Sequence, residues 1–259
     1  MAKPPRGDLS FLEENGAKSG ERAYERLDGA VPVLHAPSMV NQAEGLRDIL
    51  QAGATALSEI LSAGSAQVQA LLVSDEDWRA APRESERPYP PGLPYFTRAT
   101  DPPSLVLPDT LSPAITPRTN ATLPLTVWHE LAHAFLLRRD VVRAPAWLRE
   151  LIPQTLSAAV ARRTGLSLGE HLSKVNREPG FAVRGLKGHA GAEEQMAFQN
   201  LLLSLGDAAL DEFGEGLLYR LVRDLWAETD VVDEARAEGL LAGALGAGGR
   251  EWLLMRPEF

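Results

Sequence analysis

Apolar residues at three- and four-residue intervals are the clearest pattern in the chain. Leu46, Ile49, Leu50, Leu57, Ile60 and Leu61 recur in this way and predict a helix over 41–63. Asn41 suits its N-cap, and Gly64 suits the residue just past its end. Gly53, in the middle, either weakens this helix or marks a close packing contact. Residues 66–73 alternate early and run apolar late, as a strand does, and 95–100 and 104–108 are two further strand candidates. Prolines bound the last of these, which suits an edge strand. Ser74–Trp78 reads as a short capped helix, and 31–35 as a short strand. Residues 1–30 are polar and expected to be partly mobile; 81–94 and 109–125 carry the prolines of loops.

The second half is helical in pattern. Residues 126–139 are apolar on nearly every side, which predicts a buried helix. Helices follow over 152–165, 192–205, 214–227 and 230–245, with an irregular, glycine-rich stretch over 167–191. Residues 243–249 form a glycine-rich bend without the ending of a phosphate loop. Residues 251–255 are expected to pack back onto the helices.

The net charge of −9 argues against a nucleic-acid-binding surface as the main function. No apolar run reaches membrane-spanning length, and the first residues lack the apolar core of a signal peptide, so a cytoplasmic protein with no membrane partner is expected. Cysteine is absent, so any metal must be held by nitrogen and oxygen.

The predicted buried helix contains His129-Glu130-Leu131-Ala132-His133, an H-E-x-x-H motif. Positions i and i+4 share a helix face, so both imidazoles can point at one ion. Glu130 lies roughly 100° round the helix, placed to hold a water without being a ligand. Zinc (Zn2+) lowers the pKa of such a water, and Glu130 is then the general base for its attack on a carbonyl. The bland alternative is a helix whose histidines are hydrogen-bonded in the core.

A hydrolytic zinc site uses three protein ligands and one open position. One helical hairpin further on comes Ala144-Pro145-Ala146-Trp147-Leu148-Arg149-Glu150, with Pro145 suited to a first helical turn. H-E-L-A-H followed by W-L-x-E resembles the gluzincin metallopeptidases, the thermolysin-like and aminopeptidase group. The resemblance implies that His129, His133 and Glu150 are the zinc ligands and Glu130 the base, acting on a peptide or protein substrate. Glu150 is otherwise an ordinary first-turn carboxylate favoured by the helix dipole. The resemblance also implies an α+β, zincin-like fold. A small N-terminal mixed or antiparallel sheet (within 31–125) would pack on the H-E-x-x-H helix, with a mainly helical second part (126–259) in the same domain. In such domains an edge strand lines the cleft, which by resemblance is Ser104–Leu107; the alternative is an edge merely blunted by its prolines.

The chain departs from the family after Glu150, continuing Leu151-Ile152-Pro153-Gln154. Pro153 implies a late start or a kink in that helix. Gln154 stands where the family often has an acidic residue that orients a ligand histidine, and it can accept that hydrogen bond without charge. For the oxyanion donor, His189 is the first candidate and Tyr219 the second, followed by Tyr95 and Arg184. His171 and His189 otherwise read as exposed loop histidines, His35 as structural or exposed, and Glu193 and Glu194 as first-turn acids. The expected activity is zinc-dependent hydrolysis of peptide bonds; the alternative is a zinc-binding protein of the same fold with weak or lost catalysis.

Overall fold

Three parallel strands at the centre of a small sheet carry the first part of the molecule. A computed structural model describes residues 24–84, 94–109, 122–136, 144–172, 182–185 and 192–259. They fall into two units, one from the described residues up to 54 and at 65–134, the other from those at 55–64 and from 135 onward.

The first unit holds strands β1 (Glu25–Leu27), β2 (Val33–His35), β3 (Gln69–Val73), β4 (Tyr95–Thr97) and β5 (Ser104–Pro108). Their order is β1-β2-β3-β5-β4, with β2, β3 and β5 parallel and the outer two antiparallel to their neighbours. Every residue of β3 and β5 is buried, which explains their unbroken apolar runs: a strand covered on both faces has no polar side to alternate with. Their polar ends are satisfied in register. Gln69 lies opposite Ser104, and its Nε2 donates to Ser104 Oγ at 3.1 Å.

Strand β5 is therefore not the edge that its flanking prolines predicted. Pro103 still offers a carbonyl, which accepts from the Gln69 N–H at 3.0 Å, and Pro108 comes last, where a missing N–H ends the ladder without breaking it. The edges belong to β1 and β4. Strand β1 also gives order to part of the segment expected to be mobile, since Glu25–Leu27 pair with Val33–His35.

Leu34, Leu71, Val73, Trp78, Ala81, Tyr95 and Val106 form a core, with Trp78 edge-on to Tyr95 at 5.5 Å between centroids. Ser74 does cap the chain after β3: its Oγ accepts from the Asp77 N–H at 3.2 Å and donates to Asp77 Oδ2 at 2.9 Å. Beyond this cap the chain makes a turn rather than the expected short helix.

Helix α1 runs Val40–Ile60 behind a 3-10 turn at Pro37–Met39, so Asn41 lies inside the helix and is not its cap. The helix closes with Ser62, not Gly64, in the left-handed position (φ 47°). The Ala63 N–H donates to Ser58 O at 2.9 Å and the Ser62 N–H to Glu59 O at 3.2 Å, the two bonds of a Schellman ending.

The second unit is helical. Its helices, among the described residues, are α3 (Ala146–Thr164), α4 (Gly169–Leu172), α5 (Ala192–Phe213), α6 (Gly216–Ala227), α7 (Glu234–Leu245) and α8 (Gly249–Leu254), with helix α2 (Thr122–Leu136) preceding them in the chain. Pro153 lies in the interior of α3, which already starts at Ala146, so no late start accommodates it. A helical proline costs about 3 kcal/mol. Burial of Trp147, Leu148, Leu151, Ile152, Leu156 and Val160, each worth about 1.5–3 kcal/mol, outweighs that loss. Gly165 ends α3 with φ 74°.

Helix α5 continues well past the expected stop at Leu205, through Gly206. A Cβ on Gly206 would lie 2.4 Å from Thr155 Oγ1 and 3.0 Å from Thr155 Cα, so this glycine lets the backbones of α3 and α5 approach closely. Asp233 caps α7 by accepting from the Arg236 N–H at 2.8 Å. Gly246 (φ 85°) and Gly248 (φ 84°) then turn the chain into α8. Trp252 and Leu253 pack back as expected, Trp252 edge-on to Phe213, whereas Leu254 and Met255 are exposed.

Candidate metal centre

Helix α2 begins four residues before the predicted start at 126, with Pro124 accommodated in its first turn, where the missing N–H has no intrahelical partner to lose. Val127, Trp128, His129, Leu131, Ala132, Phe135 and Leu136 are buried, as the all-round apolar pattern required. Trp128 anchors the helix: its Nε1 donates to Ile49 O on α1 at 2.9 Å. Gly53 makes the room, because a Cβ there would lie 2.4 Å from Trp128 Cδ1. The mid-helix glycine of α1 is thus a close packing contact, and it sets the residue next to His129.

His129 is 6 % exposed and His133 is half-buried. Their Nε2 atoms face each other at 3.1 Å, with the rings nearly perpendicular at 82°. Two imidazoles bound tetrahedrally at zinc distances of 2.0–2.1 Å would have nitrogens about 3.3 Å apart. The observed spacing therefore fits either a shared ion or one ring donating to the other.

His129, His133 and Glu150 each offer one ligand atom, and these atoms all lie within 4.8 Å of one another. Two neutral imidazoles and one carboxylate are a donor set suited to zinc and other divalent ions.

Glu150 lies in α3, half-buried. Its Oε2 accepts from Gln199 Nε2 at 2.9 Å. Gln199 Oε1 in turn accepts from Gln154 Nε2. The amide N–H of Gln154 is thus directed to another glutamine. The sequence pattern does not single out Gln199. Its only trace there is a polar residue flanking the apolar stripe of Phe198, Leu201, Leu202 and Leu205, and its partner Gln154 is 45 positions away. Glu130 follows His129 on α2 and is half-buried.

Of the oxyanion-donor candidates, His189 lies outside the described residues. Tyr219 is on α6 and 42 % exposed, off the buried face made by Leu217, Leu218, Leu221, Val222 and Leu225. The Tyr95 hydroxyl donates to Pro82 O at 3.0 Å. Arg184 pairs with Glu238 at 3.1 Å and stacks over the Phe259 ring at 4.3 Å. His35 is buried, with Nδ1 at 2.9 Å from Ala36 O. His171 falls in α4, and Glu193 and Glu194 in the first turn of α5.

Compared with models of known protein families and with curated protein sequences, the chain matches none. No helix among the described residues is long and apolar enough to cross a membrane.

Proposed function

We propose that the chain is a zinc-dependent metallohydrolase of the gluzincin type that cleaves peptide bonds in a peptide or protein substrate. The observation that carries this reading is the grouping of ligand atoms from His129, His133 and Glu150 within 4.8 Å. A chance H-E-x-x-H has no need of a carboxylate from another helix beside it.

His129 and His133 would hold the ion through Nε2, one helical turn apart, with Glu150 as the third ligand. Bound there, zinc would polarise the scissile carbonyl and make a water acidic near neutral pH. Glu130 follows His129 on α2 without being a member of the ligand set, and its carboxylate would take the proton of the attacking water.

One observation favours the second reading, a metal-binding protein with weak or lost catalysis: the residue in the family's acidic position is Gln154, and its amide N–H is turned to Gln199.

Metal content and peptide hydrolysis, measured on the wild type, His133→Ala and Glu130→Gln, decide between them. The peptidase reading expects near-stoichiometric zinc in the wild type and in Glu130→Gln, and loss in His133→Ala. It also expects hydrolysis to fall by about 10²–10⁴ in Glu130→Gln. Zinc retention with no difference in hydrolysis between wild type and Glu130→Gln would leave the metal-binding reading. Absence of metal from the wild type, even after zinc is supplied, would overturn both.

A further inference from the structure

Glu150 is held by a partner that the motif does not mention. Gln199 Nε2 donates to Glu150 Oε2 at 2.9 Å, and Gln154 Nε2 donates to Gln199 Oε1. Resting on the metal-site reading above, we propose that Gln199 is a positioning residue. Backed by Gln154, it forms a neutral amide relay that ties down Oε2 of Glu150 and so presents the carboxylate to a metal ion through one oxygen.

The relay has a defined direction. An ionised carboxylate only accepts, so Gln199 must turn its NH₂ toward Glu150 and its carbonyl away. That carbonyl then needs a donor, and Gln154 supplies one. Glu150 and Gln154 are four residues apart on α3 and therefore on one face, which lets a single side chain from α5 reach both.

The distance between the two helices is set independently. Gly206 lies two helical turns after Gln199 on the same side of α5, and its missing side chain admits Thr155, the residue after Gln154. A second negative charge beside Glu150 would repel the carboxylate and compete with it for the ion. A neutral donor holds the ionised form without adding charge. With one oxygen engaged by an N–H, two-oxygen coordination is disfavoured, and the ion keeps a position for water or substrate.

The test uses the full chain with zinc and cobalt(II) as probes. Zinc affinity is read by competition with a chromophoric chelator, and the coordination of bound cobalt(II) by its visible absorption bands. Gln199→Leu keeps the side-chain volume and removes both hydrogen bonds. It is expected to weaken zinc binding by about 10–100-fold and to alter the cobalt(II) bands, with the melting of the metal-free protein little changed. Gln154→Leu leaves the bond to Glu150 and removes only its support, so a smaller loss in the same direction is expected. The double variant should resemble Gln199→Leu alone, because the relay acts as a unit.

Wild-type zinc affinity and wild-type cobalt(II) bands in Gln199→Leu would overturn the relay while leaving the metal site standing. If Gln199→Leu fails to fold, Gln154→Leu decides by the same two readouts. A wild type that binds neither ion overturns the relay together with the site.

Discussion

Ser62 occupies a backbone position that most L-residues avoid. Its φ of 47° is left-handed, where a Cβ crowds the following carbonyl at a penalty of about 1–2 kcal/mol. The two Schellman bonds at Ser62 and Ala63 hold it there, and the side chain is exposed, so little packing depends on it. Glycine removes the penalty but gains freedom in the unfolded chain. Ser62→Gly should therefore stabilise by about 0.5–1 kcal/mol, seen as a higher denaturant midpoint at unchanged slope. An unchanged or lower midpoint would show that the serine conformation carries no strain. The sequence pattern places this role on Gly64, two residues later, because glycine is the commonest residue there. The closing residue is set by where the helix stops hydrogen-bonding, and composition reports that only indirectly.

Helices α1 and α2 meet through one glycine and one tryptophan. A Cβ on Gly53 would lie 2.4 Å from Trp128 Cδ1 and 2.8 Å from Nε1, the atom bonded to Ile49 O. Gly53→Ala must push the indole aside, at a typical overpacking loss of about 1–3 kcal/mol. Trp128 immediately precedes His129, so zinc affinity should fall together with stability. Gly45→Ala is the control on the same helix: nothing lies within 4 Å of its Cβ position, and replacing a helical glycine there should be neutral to stabilising by up to about 1 kcal/mol. Equal effects of the two substitutions, by thermal melting and chelator competition, would remove the argument from close packing. These helices were readable in the sequence because their apolar spacing repeats along a local geometry. The sequence pattern points strand β5 to an edge and the fold places it inside, because prolines at its ends describe the ends of the ladder and not what lies beside it.

The molecule gains stability from any ion that binds only its folded form. Under the proposed function, free zinc at a hundredfold over its Kd adds about 2.7 kcal/mol. The midpoint of thermal unfolding should then rise by several degrees with zinc and fall back with a chelator, while His133→Ala should show neither shift. A wild type whose melting ignores both zinc and chelator would argue against a bound ion. The surface also carries charge pairs, such as Arg163 with Glu59 at 2.6 Å and Glu215 at 2.7 Å. The hydrogen bond to Glu215, against some desolvation, raises the Arg163 pKa. Such partly exposed pairs add little to stability and are weakened by salt.

Local order in the chain was enough to place His129, Glu130 and His133 on one buried helix, and to foresee the helical second half. Both follow from the 3.6-residue repeat, which acts within a few residues of itself. The interior position of β5, the tolerance of Pro153, the support of Glu150 by Gln199 and the close approach at Gly206 follow no local repeat. Each depends on which distant segments come to lie side by side. Those pairings are selected by burial of the whole core, and so became visible only once the chain was folded.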